Sequence, residues 1–219
     1  MKFFIDTANL SQIKEANDLG ILDGVTTNPS LMAKEGIVGE KAIRDHYTAI
    51  CNIVTEGDVS AEVLSTTYDE MVAEAQELIK IAKNIVVKVP CTLEGIKAIK
   101  KLTTMGIKTN CTLVFSVGQS LLAAKAGATY VSPFVGRIDD ISSEGVDLVQ
   151  AIVEMYEYYG FATQVLAASI RSTGDIIRCM NVGADVITAP LSSITKLVNH
   201  PLTDIGMDIF NEATKKMRG

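Results

Sequence analysis

Ile85-Val86-Val87-Lys88-Val89-Pro90 has the length and composition of a strand buried on both faces of a parallel sheet, yet it carries an amine at its centre. A lysine in such a place must find a partner or give up its proton. Desolvation is the usual way to make a lysine nucleophilic toward a carbonyl, so Lys88 points to Schiff-base chemistry.

Outward from this run, short β-rich segments alternate with helical patterns. The predicted strands are Phe3–Asp6, Val25–Asn28, Asp58–Val63, Ile85–Pro90, Lys108–Phe115, Tyr130–Val135, Thr163–Ser169 and Val186–Pro190. Thr67-Tyr68-Asp69-Glu70 has the spacing of a capping box opening a helix that runs to about Asn84. Leu10–Leu19, Leu93–Met105 and Ser120–Ala126 are predicted to stop at Gly20, Gly106 and Gly127, residues suited to a left-handed helix end. Eight such units in 219 residues predict one domain, residues 1–219, folded as a (β/α)8 TIM barrel. A doubly wound sheet competes, but neither its GxGxxG turn nor a P-loop pattern is present. Beyond the eighth unit, Leu202, Ile205, Ile209, Phe210, Ala213 and Met217 recur at helical spacing. They predict an extra C-terminal helix, about 202–217, whose apolar face needs a partner.

Composition narrows the functions. With 47% apolar and 21% charged residues the chain builds a substantial core, and disorder is not expected. A net charge of −6 and the lack of a long basic run argue against nucleic acid as a partner, so a bound anion needs a local cluster of positive groups. The cysteines, Cys51, Cys91, Cys111 and Cys179, show neither close pairing nor metal-ligand spacing in the sequence and are expected to be reduced thiols. No signal-peptide pattern and no run of membrane-spanning length is seen, so no membrane association and a cytoplasmic location are expected. His46 and His200 neighbour no carboxylate motif, which leaves acid–base work to carboxylates and gives no reason to expect a metal or an organic cofactor. No serine-hydrolase elbow is present.

Alternation along each strand then sorts the polar residues. With Lys88 inside, Val87 and Val89 face the helices. The same polar-inward rule turns Asp6, Thr26, Asn28, Ser60, Glu62, Asn110, Thr112, Ser132, Phe134, Ser169 and Arg171 toward the barrel interior. On the seventh strand it sends Ala168 and Ile170 outward, and on the fifth Cys111, Leu113 and Phe115. An amine, two carboxylates and two carboxamides converging inside a barrel is a costly arrangement unless it has a function. Single residues have duller roles open to them. Asp6 suits a helix cap, Asn28 before Pro29 suits a turn, Asn110 and Thr112 suit a bond to each other, and Phe134 suits core packing. Arg137 and Arg171 at the rim suit surface ion pairs, or a phosphate clamp in an otherwise acidic protein.

These residues resemble the transaldolases, in particular the short subfamily that includes fructose 6-phosphate aldolases. The resemblance rests on Phe4-Ile5-Asp6-Thr7-Ala8, Gly24-Val25-Thr26-Thr27-Asn28-Pro29-Ser30, Val87-Lys88-Val89-Pro90, Asn110-Cys111-Thr112-Leu113-Val114-Phe115-Ser116, Ser132-Pro133-Phe134-Val135-Gly136-Arg137-Ile138-Asp139 and Ala167-Ala168-Ser169-Ile170-Arg171. It implies that Lys88 is the Schiff-base lysine, that Asp6 is the acid–base residue, and that Glu62 and Thr112 hold a proton-shuttling water. It also implies that Asn28, Asn110 and Ser132 bind the dihydroxyacetone fragment beside Phe134, while Arg137, Ser169 and Arg171 bind phosphate. The aldolase branch carries Gln in place of Glu62 and Tyr in place of Phe134, and lacks the Asn-Cys-Thr form of the fifth strand, so the resemblance favours the transaldolase branch.

The activity implied is transfer of a dihydroxyacetone unit from sedoheptulose 7-phosphate or fructose 6-phosphate to an aldose phosphate, within the pentose phosphate pathway and without a cofactor. The subfamily also implies a homo-oligomer, a decamer of two pentameric rings. The rivals are a fructose 6-phosphate aldolase and, from another class, a non-catalytic sugar-phosphate-binding barrel.

Overall fold

Eight parallel strands close into a barrel, each hydrogen-bonded to the next and the eighth to the first. The structure is a computed structural model that describes residues 1–218. The first half runs β1 (Lys2–Asp6), α1 (Leu10–Asp18), β2 (Gly24–Thr26), α2 (Pro29–Lys34), α3 (Glu40–Ile53), β3 (Asp58–Glu62), α4 (Tyr68–Leu78) and β4 (Ile85–Pro90). It continues through α5 (Leu93–Thr104), β5 (Thr109–Val114), α6 (Val117–Ala126), β6 (Tyr130–Pro133), α7 (Val135–Asp139), α8 (Gly145–Tyr159) and β7 (Gln164–Ala167). The chain ends with α9 (Thr173–Asn181), β8 (Val186–Ala189), α10 (Leu191–Thr195), a short 3-10 turn and α11 (Pro201–Arg218).

Two apolar layers hold this together. Outward-facing strand residues such as Ile5, Val25, Val87, Val89 and Val131 pack under the helices with Ile13, Ile99, Leu102 and Ile152. Each fully buried aliphatic side chain contributes roughly 1.5–3 kcal/mol, which offsets the cost of the polar groups inside the barrel. The lower interior is filled by Phe4, Val86, Tyr130, Leu166 and Val186. The polar residues occupy the same inward rows one or two positions further along, toward the C-terminal strand ends.

Local details depart from the sequence reading where side chains had other partners. The Thr67 hydroxyl donates to Glu70 Oε2 at 2.7 Å and accepts nothing from the first turn of α4, so the expected capping box does not form. That helix ends at Leu78, well before Asn84, whose amide instead donates to the carbonyls of Val54 and Gly57. On β5 the inward alternation holds through Thr112 and then breaks. Leu113 takes φ 58°, the register against β6 shifts between Cys111 and Val114, and Val114 joins the outer core.

Within β7 the alternation is the reverse of expectation: Leu166 and Ala168 face inward and Val165 and Ala167 face the helices. Strand pairing ends at Ala167, and Ser169 beyond it adopts φ 59°, which resets the parity, so Ser169 reaches the barrel mouth and Ile170 faces the helices as expected. Cys91 and Cys111, far apart in sequence, reach neighbouring strand ends, and all four cysteines are free thiols.

Helix α11 forms as expected, but none of its residues is buried; Leu202, Ile205, Ile209, Phe210 and Met217 are all exposed. Among the described residues no helix is long and apolar enough to cross a membrane.

Candidate active site

Lys88 occupies the inward row of β4, locked in place by Val87 and Val89 on the other face, and is only 5% exposed. Its Nζ donates to Glu62 Oε2 and to the Thr27 carbonyl, both at 3.0 Å. Glu62 stands directly opposite Lys88 in the β3–β4 register, so the ladder itself sets this contact. A buried ammonium is tolerable only with such compensation, and removing one partner strands the other.

Asp6 ends β1, and its Oδ1 accepts a 2.8 Å hydrogen bond from Thr26 Oγ1 on the neighbouring strand. Thr26 Oγ1 also lies 2.6 Å from Thr188 Oγ1 on β8. Because the Thr26 proton is committed to the carboxylate, Thr188 must be the donor in that second bond. Burial pushes the Asp6 carboxyl above the ordinary aspartate value; the Lys88 charge and the Thr26 bond oppose this without cancelling it.

Both groups line one cavity of about 110 Å³ at the C-terminal strand ends, together with Asn28, Ser132, Arg137 and Ser169. Asn28 caps α2 by accepting from the Leu31 N–H at 2.9 Å, which leaves its amide nitrogen to the cavity; the cap and the cavity role coexist. Ser132 donates to Asn110 Oδ1 at 2.7 Å, and Asn110 Nδ2 donates to Ser60 Oγ at 3.2 Å, a chain across three strands beneath the cavity. Asn110 does not bond Thr112. The Thr112 hydroxyl is buried without a protein partner and is therefore available to a water or a substrate.

Arg137 belongs to the short helix after β6, and Phe134 sits between the two, at the N-cap of that helix and bridged to Ala168. Phe134 precedes α7, lines the cavity, and has the Arg137 guanidinium 4.8 Å over its ring. Gly136 lets this turn pass close to the end of β7: a Cβ there would sit 2.4 Å from the Ser169 carbonyl. The Gly136 N–H donates to that same carbonyl.

Of the expected residues, Arg171 and Thr112 neither line the cavity nor make a side-chain bond to a residue that does, and Arg171 is engaged elsewhere. Its guanidinium fork grips Asp140, with Nη2 to Oδ2 at 2.6 Å, and both side chains are about half exposed. The reason is local: Asp140 follows α7 directly beside the end of β7 and offers the geometry a guanidinium prefers.

Sequence reasoning missed Thr188, although the inward row of the eighth strand pointed to it, and missed Asp140, for which the sequence holds no signal beyond its place after Arg137. A larger outer groove, about 660 Å³, lies between α4, α5 and α6, but it is bordered by lysines and holds no acid–base pair. Among the described residues no group of three or more potential metal ligands comes together.

Residues 3–218 match the family described as Transaldolase/Fructose-6-phosphate aldolase. A Parabacteroides distasonis protein is 67% identical over 219 residues, the whole of both chains. A Phocaeicola vulgatus protein is 65% identical over the same span, and one from Bacteroides fragilis is 66% identical over 217 residues, 99% of each chain. All three carry the name "Probable transaldolase".

Proposed function

This chain belongs to the transaldolase/fructose-6-phosphate aldolase family of enzymes, and we propose that it acts as a transaldolase through a Schiff base on Lys88. The observation that carries the proposal is the Lys88 amine, 5% exposed and 3.0 Å from Glu62, in the same cavity as a carboxyl group held above its ordinary pKa.

Lys88 passes a proton to Glu62 and attacks the C2 carbonyl of fructose 6-phosphate or sedoheptulose 7-phosphate. The carbinolamine loses water, with Glu62 and the unpartnered Thr112 hydroxyl handling the protons, to give a protonated imine. Asp6 takes the C4 hydroxyl proton as the C3–C4 bond breaks, and the electron pair flows into the imine. The aldose phosphate leaves and a three-carbon enamine stays on Lys88. A second aldose phosphate accepts its C3 carbon, Asp6 returns the proton to the new hydroxyl, and hydrolysis of the imine frees the product.

Asn28 and Ser132, the latter braced by Asn110, meet the hydroxyls of the fragment. Arg137 and Ser169 meet the phosphate, and Arg171 joins them by exchanging Asp140 for phosphate oxygens. Phe134 offers an apolar wall where a hydroxyl would help water in, which favours transfer over release. The chain is further proposed to work as a homo-oligomer, with α11 seated on a neighbouring copy.

Borohydride reduction with fructose 6-phosphate tests the covalent step, and a coupled assay with and without erythrose 4-phosphate tests transfer. The proposal expects trapping together with turnover that depends on the acceptor. Equal release of free dihydroxyacetone without acceptor would make the enzyme an aldolase, and absence of trapping would leave a sugar-phosphate binder.

A further inference from the structure

β5 breaks its alternation just past the cavity. Had the pattern continued, Phe115 would face the helices beside Cys111 and Leu113. Instead, Leu113 adopts left-handed backbone at φ 58°, which is sterically unfavourable for a branched side chain, and the register against β6 shifts. Val114 takes the place in the outer core, and Phe115 leaves the strand at the barrel mouth, 42% exposed. Bulges beside active sites commonly re-aim one side chain.

The side chain re-aimed here meets Phe134. The ring centroids are 5.7 Å apart at an interplanar angle of 59°, and Phe134 also carries the Arg137 guanidinium 4.8 Å from its ring centroid. Phe115, Phe134 and Arg137 thus form a run of contacts at the mouth, of which only the last two line the cavity. The Phe134 backbone is held by its N–H donating to the Val114 carbonyl at 3.1 Å and by a bridge to Ala168. What its neighbours decide is the setting of the ring. An aromatic pair of this geometry favours one arrangement, and Arg137 inherits it through the ring it sits on.

We infer that Phe115 is a positioning residue that decides the fate of the three-carbon fragment: by backing Phe134 it keeps the mouth dry and Arg137 turned toward the incoming phosphate. The inference rests on the transaldolase reading above. The fragment on Lys88 has two exits. In hydrolysis the enamine carbon takes a proton, water adds to the resulting iminium carbon, and Lys88 leaves as free amine with dihydroxyacetone as product. In transfer the same carbon attacks the aldehyde of the acceptor, whose oxygen takes its proton from Asp6. Water competes only in the first, and the phosphate seat helps only the second.

The test is the product ratio in Phe115→Ala. Free dihydroxyacetone per transfer event should rise about two- to tenfold, the scale of one lost aromatic contact. The KM for erythrose 4-phosphate should rise with it, while borohydride trapping on Lys88 stays at the wild-type extent. Phe115→Tyr keeps the ring and should restore both values. Phe115→Leu, which keeps the bulk without the aromatic face, gives the same comparison should the alanine variant prove insoluble. An unchanged ratio in a variant that traps normally overturns the inference, as does a shift that Tyr fails to restore. Failure of the wild-type protein to trap substrate would overturn the transaldolase reading instead.

Discussion

Thr26 donates to Asp6 over 2.8 Å and, 2.6 Å behind it, receives the hydroxyl of Thr188. The two threonines stabilise the ionised carboxylate, which is the form that accepts a proton from substrate. The charged groups around Asp6 are Lys88 on β4, its partner Glu62 on β3, and Arg137 from α7.

Because burial raises the Asp6 pKa, the acid limb of kcat for transfer should lie above the ordinary aspartate range. Thr26→Val removes a donor to the anion and should move that limb further up, by about one pH unit. Thr188→Val should move it the same way but less. Asp6→Asn should abolish cleavage, and its stability should show the opposite dependence on charge. A raised folded-state pKa contributes stability below the unfolded aspartate value, and that contribution is lost as pH rises through the folded value. The asparagine variant should therefore gain on wild type at neutral pH and lose that gain in acid. A limb unmoved in Thr26→Val, with no crossover in Tm against pH, would remove Asp6 from this role.

On the proposed reading, Asp140 and a substrate phosphate compete for the Arg171 guanidinium. Arg171→Ala should weaken phosphorylated substrates by about tenfold and leave free dihydroxyacetone almost untouched. Asp140→Asn releases the fork and should tighten phosphorylated substrates, with the larger effect at low salt. Measuring KM for fructose 6-phosphate and for dihydroxyacetone in both variants decides this. Parallel losses in the two variants would make the pair a structural brace.

The outer groove between α4, α5 and α6 suits helix α11 of a second copy. Its apolar floor includes Ile96 and Leu122, and its border carries Lys97, Lys100, Lys101 and Lys125. The helix offers the exposed Ile205 and Ile209 flanked by Asp204, Asp208 and Glu212. Two different surfaces meeting head to tail make a heterologous contact, which gives a ring where the rotation closes and a filament where it does not. Truncation after residue 200, or Lys97→Glu with Lys100→Glu, should lower the assembly mass seen by light scattering while trapping on Lys88 persists. An assembly mass unchanged in both would exclude this docking.

The barrel was legible because its strands and helices differ so sharply in pattern, and because glycines such as Gly20, Gly106 and Gly127 do take left-handed backbone where helices end. The inward row was legible on the strands that stay regular, which places Asp6, Lys88, Glu62, Asn110 and Ser132. It failed where backbone geometry interrupts alternation: at Leu113, which redirects Phe115, and along β7, where the left-handed turn at Ser169 resets the parity and leaves Ala168 inside. Competing partners hid the rest. Glu70 draws off the Thr67 hydroxyl, and Asp140 draws off the Arg171 guanidinium, and neither choice between nearby polar groups is written in spacing alone.

The central claim is a covalent bond to Lys88. Borohydride reduction in the presence of fructose 6-phosphate, followed by peptide mass spectrometry, tests it most directly. The account predicts a reduced three-carbon adduct on Lys88 in the wild-type chain, and none in Lys88→Ala or Lys88→Arg. An adduct that persists in those variants on another lysine, or the lack of any adduct in the wild-type chain, would contradict it.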